Sequence, residues 1–291
     1  MDSTKYLIVE TDYIPWSSGM TALGYIKKMF SRTAGYGLLK KYLSREMVGQ
    51  YRTLGFNMQK SDSIDDQSLR ELIVSWMCSL GYDDCQRESN DLFRAWMQSA
   101  NPDKENPIDP GVRGSVYCQA IKNGDEKEWA FLWQRLKRTS SANERNNIYK
   151  GLACTQEVWI LQKYLDMTLD PSSPIRKQDG SSVISRIARN PLGRYMTWNW
   201  LRNQWVDVST YFDTAISSAV GRIIKSVTAD FNTPFELKEL EAFYEDHKNE
   251  LGTAKRTTLN CIETVKGNVQ WMEKYYKDIF DWLKMNVQDD F

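Results

Sequence analysis

Apolar residues recur three and four positions apart along almost the whole chain, and period-two alternation is scarce. That spacing puts one apolar stripe on each stretch of α-helix and gives a strand no buried face, so the chain reads as all-α. In "DEKEWAFLWQRL", Trp129, Leu132, Trp133 and Leu136 share one face, while Lys127, Glu128, Arg135 and Lys137 fall off it. Roughly a dozen or more helices joined by short loops fit the length, in the rhythm of stacked antiparallel helix pairs. "ANPDKENPIDPG" and "LDPSSPIRKQDG" read as loops between such pairs and not as domain boundaries. No strict repeat consensus accompanies the rhythm, so a HEAT-like α-superhelix rests here on the hairpin spacing alone. Asp109-Pro110, Ser173-Pro174, Asn190-Pro191 and Thr233-Pro234 read as helix starts, a capping side chain before a proline whose missing N–H costs nothing in a first turn. Thr233 with Glu236 adds a capping box.

The 291 residues suffice for one large domain or two ordinary ones. With 38 Lys and Arg against 38 Asp and Glu, the formal net charge is zero, and no basic surplus exists to neutralise phosphates. Nucleic acid is therefore not an expected partner. No run of 18 apolar residues occurs, and "MDSTKYLIVETDY" lacks the basic and apolar blocks of a signal peptide, so no spanning or targeting segment is expected within the chain.

The inventory of chemical groups is narrow. His247 is the only histidine, which rules out a zinc site built on two histidines of one helix and leaves a Ser-His-Asp or Cys-His arrangement nothing else to use. Between Asp246 and Lys248 at a polar helix end, it reads as an exposed, idle residue. "LGRY" and "VGRI" carry single glycines without phosphate-loop spacing. No catalytic residue and no metal ligand is assigned to this chain.

The cysteines leave two readings open. Cys78 and Cys85 flank the turn-like "LGYDD", Cys118 and Cys154 stand 36 positions apart at what read as helix ends, and Cys261 is left over. All five serve equally as small buried apolar side chains. Alternatively, four of them form two disulfides, worth roughly 2 to 2.5 kcal/mol for the short loop and nearly 4 for the long one in the loop-entropy model. Neither pair has the C-x-x-C spacing that favours a metal.

Four long stretches decide between these readings: "YIPWSSGMTALGYIKKMF", "NPIDPGVRGSVYCQAIKNGDEKEWAFLWQRL", "CTQEVWILQKYLDMTLDPSSPIRKQD" and "NPLGRYMTWNWLRNQW". In order and content they resemble the C-terminal helical domain of the aminopeptidase N family of zinc ectopeptidases, from about Tyr6 to Trp282. The resemblance implies a HEAT-like superhelical bowl formed by residues 1–291 as a single domain, with the first helices and the catalytic domain missing. Met1 is then an artificial start and the chain a fragment of a longer ectoenzyme. Cys78–Cys85 and Cys118–Cys154 become disulfides by the same resemblance, with Cys261 a free buried thiol. Neither H-E-x-x-H nor G-x-M-E-N occurs, so zinc belongs to the catalytic domain of the parent protein and no cofactor to this chain. An extracellular or cell-surface location is implied, although no N-x-S/T sequon is present: Asn232 is followed by Thr233 and Pro234.

The function so implied is a non-catalytic domain that closes over the zinc site and helps select peptides. Its partners are the catalytic domain of the same polypeptide and peptides, and the resemblance allows a homodimer of the parent. The alternative is a peptide- or partner-binding helical module of a catalytically inactive relative. In "AISSAVGRIIKSVTADF", which resembles the family's late inner-face helix, Arg222 and Lys225 are the candidate substrate-binding cations, with solvated surface charge as the competing reading. Arg176 and Lys177 follow Pro174 in an expected first helical turn, where positive charge is unfavourable and a specific partner is conceivable, with a loop-face charge pair as the preferred reading. Trp198, Trp200 and Trp205 fall at helical spacing and are expected in the core.

Overall fold

The structure, a computed structural model, describes residues 1–212 and 219–287. The described residues are helical with connecting turns and contain no strand, as the spacing of apolar residues requires. Contacts divide the chain into two compact units: Met1–Ala120 with the chain from Glu273 onward, and Ile121–Met272. The division falls inside a helix, and neither proline-rich loop is a boundary.

The first unit opens with a 3-10 helix, Asp2–Val9, followed by α1 (Tyr13–Phe30), α2 (Tyr36–Leu54), α3 (Ile64–Leu80), α4 (Asp83–Met97) and the start of α5 (Arg113–Asn123). Trp16, Leu23, Leu39, Tyr42, Leu43, Ile73 and Phe93 are fully or almost fully buried between them. Ser63 and Asp66 form a reciprocal capping box at the start of α3. At its end Gly81 takes φ 85°, the left-handed position that glycine adopts without a Cβ penalty, and its N–H reaches the Cys78 carbonyl. This turn brings Cys78, in the last turn of α3, opposite Cys85, in the first turn of α4.

The second unit carries α6 (Glu126–Arg138), α7 (Ala142–Leu152), α8 (Val158–Asp166), α9 (Lys177–Arg189), α10 (Gly193–Asn203), α11 (Trp205–Phe212), α12 (Ala219–Thr228), α13 (Pro234–His247), a 3-10 turn at Gly252–Ala254, and the first part of α14 (Lys255–Asn286). The stripe read in α6 is its buried face: Trp129, Leu132, Trp133 and Leu136 are all buried. Asp125 and Glu128 cap that helix, and Thr233 and Glu236 make the expected capping box ahead of α13 with Pro234 in its first turn.

The other three proline-linked starts differ from the expectation. Asp109 caps no helix; its carboxylate accepts from the Gly111 and Met58 N–H groups, and α5 begins only at Arg113. The Ser173 hydroxyl, four residues before α9, accepts from the Ile175 N–H. Asn190 is the C-cap of α9; its side chain accepts from the Leu192 N–H and donates to the Ala153 and Thr155 carbonyls at 2.9 and 2.8 Å. Short polar side chains satisfy turns as readily as helix ends, and here the turns claim them.

Candidate functional site

The candidate surface is built on α12. Ala219, Val220, Gly221, Ile223, Ile224, Val227 and Thr228 are buried, with the helix lying mainly along α9. That leaves one narrow strip to solvent, and Arg222 and Lys225 occupy it one turn apart, both exposed. Residues 215–218 of the segment that carries the resemblance lie outside the described residues.

The helix is pinned on its buried side. The hydroxyls of Ser185 on α9 and Ser226 on α12 are 2.8 Å apart, and a Cβ on Gly221 would meet Thr257 of α14 at 3.2 Å. Cys261 of α14 lies close enough to feel the Lys225 charge. Burial pushes the Cys261 thiol up, more than the Thr228 hydroxyl and Lys225 pull it down. The thiol is therefore neutral at physiological pH and a poor nucleophile.

Arg176 and Lys177 find partners within the chain. Arg176 is the N-cap of α9, not a member of its first turn, and its Nε donates to the Asp179 carboxylate at 2.7 Å. The acid at the third helical position offsets the charge that the helix dipole disfavours. Lys177 Nζ lies 4.8 Å from the centre of the Tyr211 ring.

Trp198, Trp200 and Trp205 are core residues, as their spacing implies. Each also directs its indole N–H to a carboxylate: Glu239 at 3.1 Å, Asp166 at 3.0 Å and Glu250 at 3.2 Å. His247 is not the exposed residue expected. It is half-buried against Trp205 and Phe243, with ring centroids 5.1 and 4.8 Å away, and its Nδ1 is 3.3 Å from Glu250. The neighbouring charges made it look solvated, but the helical phase turns its ring inward.

Cys78 and Cys85 form a disulfide with Cα atoms 5.2 Å apart. Cys118 and Cys154 are both disulfide-bonded, and Cys261 is free and buried. Cys118 lies in the middle of α5 and not at a helix end, whereas Cys154 follows the C-cap of α7. Among the described residues no three His, Cys, Asp or Glu side chains are arranged to hold a metal ion, and the single histidine is engaged in the aromatic cluster. The described residues do not fit a catalytic zinc.

In the first unit a cleft of about 660 Å³ opens between the end of α2 and α4. Its sequence signal is the acidic spacing Asp84, Glu88 and Asp91 in "YDDCQRESND", which also describes an ordinary solvated helix face.

A family model described as the ERAP1-like C-terminal domain matches residues 1–267. The chain is 33% identical over 291 residues to aminopeptidase N of Oryctolagus cuniculus and 32% identical over 291 residues to that of Homo sapiens, covering 98% of this chain in both cases. It is 29% identical over 289 residues to the thyrotropin-releasing hormone-degrading ectoenzyme of Rattus norvegicus, covering 97% of the chain. It spans about 30% of the length of the two aminopeptidases and 26% of that of the ectoenzyme. No helix among the described residues is long and apolar enough to cross a membrane. With its family model covering nearly the full length, the chain belongs to the ERAP1-like C-terminal domain family and is similar to the C-terminal domain of aminopeptidase N.

Proposed function

We propose that this domain is the non-catalytic, substrate-enclosing part of a zinc aminopeptidase in the secretory pathway, and that Arg222 and Lys225 face the bound peptide. The observation that carries the reading is α12 itself: a helix buried on every side except the strip where two cations stand one turn apart. A fixed helix with an exposed Arg and Lys suits recognition of a distant carboxylate, because the scaffold and not the ligand has already met the cost of ordering. The aminopeptidases that the chain resembles supply the substrate class, and the word ectoenzyme in a relative's name agrees with four disulfide-bonded cysteines. Hydrolysis belongs to a catalytic domain of the same polypeptide. What the domain contributes is exclusion of bulk water, a limit on substrate size, and charge beyond the first residues of the peptide.

The test uses the intact enzyme with Arg222→Ala and Lys225→Ala combined. A charge-assisted contact is worth about 1.5 to 3 kcal/mol before screening, so a solvent-exposed pair should change kcat/KM for a peptide of about ten residues by roughly tenfold. A dipeptide-sized reporter should be unaffected, and added salt should shrink the difference. Equal loss on both substrates would indicate domain damage; no loss on either would return both residues to plain surface charge.

A further inference from the structure

Three arginines gather where α7 packs against α9, and among the described residues no Asp or Glu pairs with any of them. Arg186 and Arg189 stand three residues apart in the last turn of α9. Arg145 stands on α7 next to Asn146, whose side-chain oxygen accepts from Arg186 Nη2. Arg145 Nη2 donates to the Thr139 carbonyl at 2.8 Å, and the same side chain hydrogen-bonds Tyr149. Two phenols connect the cations: Arg145 acts on Tyr149, and Arg186 acts on the buried Tyr164 beside it. One acid lies at this seam, Asp179, which accepts from Tyr149 at 3.3 Å and is neutralised by Arg176 Nε at 2.7 Å.

Arg186 is the member that surface charge does not explain. It is half-buried, its Nε is enclosed with no acceptor, and its Nη2 is held by a neutral amide that positions the guanidinium without offsetting its charge. Burial acts most strongly on this group and disfavours its charged form; Arg189 pushes the same way, and Tyr164 alone opposes. A cation that gives up hydration normally gains a counter-charge. The dipole at the end of α9 favours positive charge, but exposed Arg189 already answers it, and burial of Arg186 does not follow from it. Three guanidiniums around one neutralised acid leave a local charge that a single carboxylate would offset only in part. A tetrahedral dianion presents oxygens on several sides and can accept from both helices.

We infer that the α7–α9 seam binds an oxyanion of more than one negative charge, a phosphate or sulfate group, with Arg186 Nη1 and Arg189 as its main donors and Arg145 at its edge. The site is separate from the strip on α12 and does not rest on the aminopeptidase reading.

The 291-residue chain, isotope-labelled, is titrated with inorganic phosphate, inorganic sulfate and acetate at neutral pH and constant ionic strength, and followed by the amide chemical shifts of α7 and α9. Saturable shifts at these helices are expected for phosphate and sulfate and not for acetate. Arg186→Gln and Arg189→Gln should each weaken phosphate by roughly fivefold to tenfold, the loss of one charge-assisted contact. Lys60→Gln, which removes the same net charge from an exposed position in the first unit, should leave the affinity unchanged. Thermal midpoints no lower than wild type show that the variants are folded. Sucrose octasulfate distinguishes the sources: binding tighter than free phosphate with the same arginine dependence assigns the site to a sulfated saccharide, and weaker binding assigns it to a phosphate group. Absence of shifts at α7 and α9, equal affinity in wild type and Arg186→Gln, an equal loss in Lys60→Gln, or acetate bound as tightly as phosphate would overturn the assignment.

Discussion

Gly193 gives the sharpest test of how the second unit is packed. It is buried at the first position of α10, where the chain leaves α9 through Asn190, Pro191 and Leu192. A Cβ there would lie 2.3 Å from the backbone carbonyl oxygen of Ile187 and 3.1 Å from its Cγ2. Non-bonded heavy atoms prefer about 3.5 Å or more, so Gly193→Ala must move one segment by about 1 Å. Ile187 cannot yield easily: it is fully buried, and its carbonyl accepts the Asn190 N–H at 3.0 Å at the end of α9. Overpacking costs roughly 1 to 3 kcal/mol, and losing the cap bond adds about 1. The stiffer unfolded chain of an alanine variant offsets about 0.4 to 1 kcal/mol. The net expectation is a loss of about 2 to 3 kcal/mol, a fall in Tm of about 3 to 5 °C for a protein this size. Gly267→Ala is the internal control: the site is exposed in the middle of α14 with open space where the Cβ would go. Helix propensity alone then applies, a gain of about 1 kcal/mol. Thermal and urea unfolding by circular dichroism measures both variants. If Gly193→Ala is as stable as wild type, the close approach of α10 to the end of α9 is not what makes this turn.

Three further outcomes are expected. Removing the short bridge with Cys78→Ala and Cys85→Ala together should cost about 2.5 kcal/mol from the seven-residue separation, read as a lower urea midpoint at unchanged slope; a shift near zero would refute the loop-entropy account. Oxidised protein, unfolded without reductant, should take up alkylating agent at Cys261 alone, and uptake at Cys118 or Cys154 would contradict their bonded state. Burial pushes the Glu46 carboxyl up against the opposing pull of Arg45 and Lys5, so in the window above the ordinary carboxylate range the unfolded state loses this proton first and stability falls as pH rises. Glu46→Gln should therefore raise Tm at neutral pH, with the gain fading as pH drops to the ordinary carboxylate range and below; an equal gain at all pH values would exclude titration as the cause.

What was legible in the sequence follows from which interactions are local. The α6 stripe and the Thr233–Glu236 capping box depend only on residues within a turn or two of each other, so spacing alone finds them. The bridge between Cys78 and Cys85 spans a single turn, yet spacing could not separate it from two buried thiols, and only the longer resemblance implied it. Asn190 defeats local reading for the opposite reason. As a polar residue before proline it fits an N-cap, but its amide is claimed by carbonyls more than thirty residues away, at Ala153 and Thr155. His247 fails in the same way, because its chain neighbours are charged while its spatial neighbours are Trp205 and Phe243. On α12 the limit is sharper still. Periodicity identifies Arg222 and Lys225 as the unburied residues of an apolar helix, but exposure is equally what a solvated charge and a ligand-binding charge require.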